Sequence, residues 1–209
     1  MIIKARHHPV IYPFFRKYTL WKIRRHFSKV IIRGEYRDRP GSLLVLANHF
    51  SWWDGFWIHY LNLNVFRRKI HFMMLEEQLR KFWFFRYTGG FSVKKGARSV
   101  PESINYSAEL LGDARNMLFL FPQGRHESLY TNDFKFEKGI EKIIAKTGSP
   151  VQIMLVANLV EYHSEPRPSV YMYFQKYAED DFSAVALQMA YNRFFNKCLR
   201  DLKERSAGL

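Results

Sequence analysis

The stretch that most constrains this chain is residues 43–57, LLVLANHFSWWDGFW. Its apolar run, LLVLA, shows no alternation, so it reads as a strand covered on both faces. The run ends at Asn48-His49, and Ser51-Trp52-Trp53-Asp54 then opens a helix. Ser51 followed three residues later by Asp54 is a capping pattern for a helix N-terminus. On one ideal helix, His49 and Asp54 would lie about 140° apart. They meet only if His49 sits in the turn before the helix. That puts an imidazole at the C-terminal end of a strand, with a carboxylate within reach. In an open α/β sheet, ligands bind at such strand ends.

The remaining pattern agrees with such a sheet. Strands are predicted at 30–36, 43–47, 69–75, 91–93, 116–121, 151–160 and 169–175. Helices are predicted at 13–28, 52–63, 76–87, 99–112, 136–146 and 184–203. Their alternation predicts one α/β domain, with a largely parallel mixed sheet of about seven strands flanked by helices. A length of 209 residues suits one core. The division is 1–29, a basic amphipathic helix with its lead-in, and 30–209, the domain proper.

Charge narrows the partner. The chain carries a net +14 and is 17% aromatic, a balance that points to nucleic acid, an anionic membrane or a phosphorylated substrate. No zinc-finger spacing or RNA-recognition aromatic signature is present, so nucleic acid is set aside. In residues 1–40 many lysines and arginines face only Glu35 and Asp38, with rings such as Phe14, Tyr18 and Trp21 interleaved. A helix of that kind lies in a membrane interface, its cations on lipid phosphates and its rings below them. No apolar run is long enough to span a bilayer, and the first residues lack the apolar core of a signal peptide. The expectation is a peripheral protein on the cytoplasmic face of a membrane. The lone Cys198 excludes an intrachain disulfide and a multi-cysteine metal site. His7, His8 and His71 have no ligand-spaced partners, so no metal is expected.

Three strand ends carry chemistry. The first brings His49 and Asp54, the second Lys94, Lys95 and Arg98, the third Gln123, Gly124, Arg125 and His126. An imidazole held by a carboxylate takes a proton from a hydroxyl, while arginines and lysines hold a phosphate. No G-x-S-x-G elbow is present, which favours direct transfer to a bound acceptor over a covalent enzyme intermediate.

Residues 48–54, NHFSWWD, resemble the N-H-x-S-x-x-D block of the glycerolipid (1-acylglycerol-3-phosphate) acyltransferases. Three more blocks follow in that family's order. Residues 89–95, GGFSVKK, are similar to G-G-[IF]-x-V-x-R. Residues 121–125, FPQGR, are similar to the start of F-P-E-G-T-R. Residues 149–156 give a proline followed by a β run. The resemblance covers about residues 30–160. It implies that His49 is the base activating the acceptor hydroxyl for attack on acyl-CoA or acyl-carrier protein, and that Asp54 orients it. It places Lys95, Gln123, Gly124 and Arg125 in the acceptor site, and Asn48, Arg98 and Pro122 join them as candidate substrate-binding residues. It also implies membrane association, a lysolipid acceptor and no cofactor beyond the acyl thioester. Gln123 stands where the family has glutamate, Arg125-His126 where it has threonine-arginine, and Lys95 where it has arginine. These departures leave open a different lipid or glycolipid acceptor. A non-catalytic lipid-binding module is the remaining alternative.

Overall fold

The computed structural model describes residues 2–94 and 100–206. Seven strands among them form one sheet in the order β1-β7-β6-β2-β5-β3-β4. These are β1 (Val30–Arg33), β2 (Ser42–Ala47), β3 (Lys69–Leu75), β4 (Gly90–Val93), β5 (Asn116–Leu120), β6 (Val151–Glu161) and β7 (Ser169–Lys176). All neighbours run parallel except β6 and β7, which form an antiparallel pair. The expected largely parallel sheet is therefore present.

Every residue of β2 is buried, as its unbroken apolar run requires. Leu44 and Leu46 enter one core, with residues of α4 (Val100–Leu111), α5 (Ile140–Lys146) and α6 (Ala184–Ser206). Leu43, Val45 and Ala47 enter the other, with Ile23 of α1 (Ile11–His26) and Phe56, Trp57, Ile58 and Leu61 of α2 (Asp54–Leu61). Helices thus cover both faces, and the C-terminal ends of β2, β5, β3 and β4 point the same way.

Local chemistry moves several boundaries. The helix predicted at 76–87 is only α3 (Glu76–Lys81); the chain then tightens into a 3-10 turn over Trp83–Tyr87. Phe82 leaves helical geometry at φ −110° and ψ 57°. α2 ends in a π turn at Asn62–Phe66. Gly139, at φ 132°, cannot continue a helix, so the helix predicted at 136–146 starts at Ile140.

The segment before α1 pairs with the outer sheet edge. Ser92 N–H donates to Ile3 O at 3.0 Å, Arg6 N–H to Arg86 O at 2.8 Å, and His8 N–H to Tyr87 O at 3.1 Å. His7 reaches inward to Ile70 O at 3.0 Å and meets the His71 ring edge-on at 4.9 Å. His59 bonds the Thr19 hydroxyl at 2.9 Å. Burial, as the largest cause, lowers His7 and His59 to about 4 and His71 to about 3. No described helix is long and apolar enough to cross a membrane.

Candidate active site

The turn between β2 and α2 is organised by Asp54, the first residue of α2, whose side chain is fully buried. One carboxylate oxygen, Oδ2, accepts from Phe50 N–H at 2.6 Å, Ser51 N–H at 2.8 Å and His49 Nδ1 at 2.6 Å. The Ser51 hydroxyl donates to Oδ1 at 3.3 Å. Asp54 thus performs its half of the capping pattern, collecting N–H groups ahead of the helix, and orients the imidazole as well. The reciprocal half shifts by one residue: Ser51 Oγ accepts from Trp53 N–H at 3.1 Å. Because the carboxylate accepts, Nδ1 carries the proton, and Nε2 keeps a lone pair that can take a proton from a hydroxyl.

The His49 ring is about one-fifth exposed. Phe121, just past β5, stacks on it at 4.1 Å with 5° between planes. The His126 ring lies 3.9 Å from it, and Glu127 N–H donates to His49 O at 2.8 Å. Partial burial, then the neighbouring His49 ring, lowers the His126 imidazole from its ordinary value. The loop after β5 therefore folds back over the β2 turn. Adjacency of β2 and β5 makes this contact available: Leu46 pairs with Leu120.

The other residues singled out from sequence divide into distinct surroundings. Asn48 is fully buried. Its Nδ2 donates to Asn158 O at 3.0 Å, and its Oδ1 accepts from Asn158 N–H at 2.7 Å. Its amide extends the β2–β6 pairing by one step. Pro122 is buried, and Gln123 is 2% exposed with neither amide atom bonded. Gly124 has φ 63°, and an added Cβ would lie 2.9 Å from Glu137 Cγ. Arg125 is exposed and paired with Glu127 at 2.9 Å. Lys94 pairs with Glu76 at 3.4 Å, three strand spacings from β2, or about 14 Å. Lys95 and Arg98 lie outside the described residues. Among the described residues no group of three His, Cys, Asp or Glu side chains is arranged as a metal site.

Sequence reasoning placed His126 in a basic turn but missed its contact with His49. It also missed the stacking of Phe121. The only signal for either was membership of the FPQGRH block.

A family model described as Acyltransferase matches residues 29–173, well over half of the chain. The chain belongs to the acyltransferase family. No curated protein sequence matches it. Among solved structures it is similar to the 1-acyl-sn-glycerophosphate (LPA) acyltransferase, PlsC, from Thermotoga maritima, with a TM-score of 0.61 and 21% identity over 91% of this chain and 79% of that one.

Proposed function

We propose that this acyltransferase moves a fatty acyl group from acyl-CoA or acyl-carrier protein to a hydroxyl of a lysophospholipid such as 1-acylglycerol-3-phosphate. The carrying observation is the 2.6 Å bond from His49 Nδ1 to a buried Asp54, which leaves Nε2 as the base. Nε2 takes the hydroxyl proton as the oxygen attacks the thioester carbonyl carbon. The tetrahedral intermediate collapses with cleavage of the C–S bond. The thiolate then takes the proton back from the imidazolium, and ester and free thiol leave. Asp54 holds the imidazolium in place between the two proton transfers. The Thermotoga protein is named a 1-acyl-sn-glycerophosphate acyltransferase, which supports this choice of substrate.

Peripheral membrane contact belongs to the same reading. Phe14, Trp21, Trp52 and Trp83 are exposed, and Lys22 lies 5.7 Å from the rings of Tyr18, Trp21 and Trp52. Rings with a cation above them suit the boundary between headgroups and acyl chains.

A second acceptor class, an uncharged lipid or glycolipid alcohol, is favoured by Gln123. A buried amide offers a donor and an acceptor, as a hydroxyl requires, where a carboxylate would only accept.

The test is an acceptor screen with one labelled acyl thioester. Turnover with at least one lysolipid or glycolipid is expected, and His49→Ala should lower it by about 10²–10⁴-fold with unchanged circular dichroism. Full turnover by His49→Ala would reject His49 as base. Binding of lipid without release of thiol would identify a non-catalytic lipid-binding module.

A further inference from the structure

The loop that closes over His49 is long, and its distant leg is held by a repeating set of amide side chains. The chain leaves β5 at Leu120 and enters α5 at Ile140. Its neck is closed by Glu137 N–H donating to Pro122 O at 2.7 Å. On the return leg, Phe136 N–H donates to Gln188 Oε1 at 2.8 Å, Phe134 N–H to Asn192 Oδ1 at 2.9 Å, and Asn196 Nδ2 to Asn132 O at 2.8 Å. Asn192 Nδ2 also donates to Phe134 O at 3.1 Å and to Asp133 Oδ1 at 2.7 Å.

The two repeats match in length. Four residues of helix rise about 6.0 Å, and two residues of extended chain span about 6.6 Å. Positions 188, 192 and 196 of α6 therefore stay in step with 136, 134 and 132 of the loop, as a neighbouring strand would. Phe134 fixes the centre of this seam. It is fully buried against Phe195 at 4.7 Å, Tyr191 at 5.5 Å and Phe50, the residue after His49, at 5.8 Å.

We propose that Asn192, between Gln188 and Asn196, is a positioning residue for acyl transfer. By holding residues 132–136 on α6, it sets where His126 and Glu127 close over His49. The activity part of this inference rests on the function proposed above. The positional part stands on the bonds alone.

Asn192→Asp keeps an acceptor for Phe134 N–H, loses both donated bonds and sets a second carboxylate against Asp133. Hydrogen exchange followed by mass spectrometry should show about tenfold faster exchange across 125–136, with β2 and β6 unchanged. The kcat/KM for acyl transfer should fall by about tenfold or more, because small misplacements at a reacting centre are amplified in rate. Combining it with Asp133→Asn returns one donor–acceptor pair in reversed polarity, and both readouts should recover most of the loss. If Asn192→Asp does not fold, Gln188→Ala removes a single bond and should show the same pattern at about two- to fivefold. A lowered melting temperature with wild-type exchange at Glu127 and wild-type kcat/KM would overturn the proposal. So would a double variant no better than the single. If the wild-type protein transfers no acyl group, the proposed function fails, while exchange at Glu127 still judges the clamp.

Discussion

The β2–α2 turn and the loop after β5 meet at His49 but are held by opposite means. In the turn, one carboxylate gathers its bonds from residues within five positions of itself. In the loop, the bonds to α6 span 52 to 64 positions. The turn orders itself locally once β2 delivers it to the sheet end. The loop's return leg takes its side-chain bonds from α6, so its place depends on that helix being docked. His49 and Asp54, the proposed base and its orienter, thus belong to short-range structure, while the cover over them depends on the whole tertiary fold.

The strongest way to break this comparison is at Asp54. Asp54→Asn leaves an amide oxygen to accept from Phe50 N–H, Ser51 N–H and His49, but removes the negative charge that would stabilise the imidazolium. Transfer should fall by about 10²-fold or more while the sheet stays folded; steady-state rates beside circular dichroism check this. Near-wild-type turnover would show that the local carboxylate is only a cap.

Gly124→Ala probes the loop. It places a side chain at φ 63° and against Glu137 Cγ, which should cost about 1–2 kcal/mol. Thermal unfolding should shift by several degrees, with a loss of transfer smaller than that of Asp54→Asn. A loss as large as that of Asp54→Asn would mean that cover and base are one unit.

The smallest effect on transfer is expected from the buried histidines, which act on stability in acid. Folding lowers His7 and His59 to about 4 and His71 to about 3, so between pH 6.5 and those values the unfolded chain binds more protons. Stability from these groups is complete above about pH 6.5 and is lost as pH falls toward 4. Melting temperature measured from pH 7 to 4.5 should decline, and less steeply in His71→Asn. A flat profile would remove the buried histidines from the account of how the N-terminal segment is held.

The same contrast explains what could be read from the sequence. The apolar run of β2, the turn position of His49 and the reach of Asp54 follow from spacing within a few residues, and the bonds around Asp54 match them. The sheet was legible because its strands alternate with helices. The break at Phe82 was not, since Leu79, Phe82, Trp83 and Arg86 keep helical spacing, although only Leu79 lies in α3 while Trp83 and Arg86 lie in the 3-10 turn. Asn48 read as part of a chemical motif, yet its amide lies between β2 and β6. Nothing local marks Gln188, Asn192 and Asn196, because polar residues every four positions look like the wet side of an amphipathic helix. Their task becomes visible only when the leg from 132 to 136 lies beside them.

The segment that completes the sheet edge leads directly into α1. The helix that carries Phe14 and Trp21 is therefore not on a free tether. For α1 to swing away, its lead-in would have to unzip from β4 and withdraw His7 from Ile70. A bilayer that took up those rings would meet the His49 turn at one height and one tilt. Reach toward an acceptor headgroup would then be fixed by the geometry of the sheet, as the arm of a gauge fixes depth.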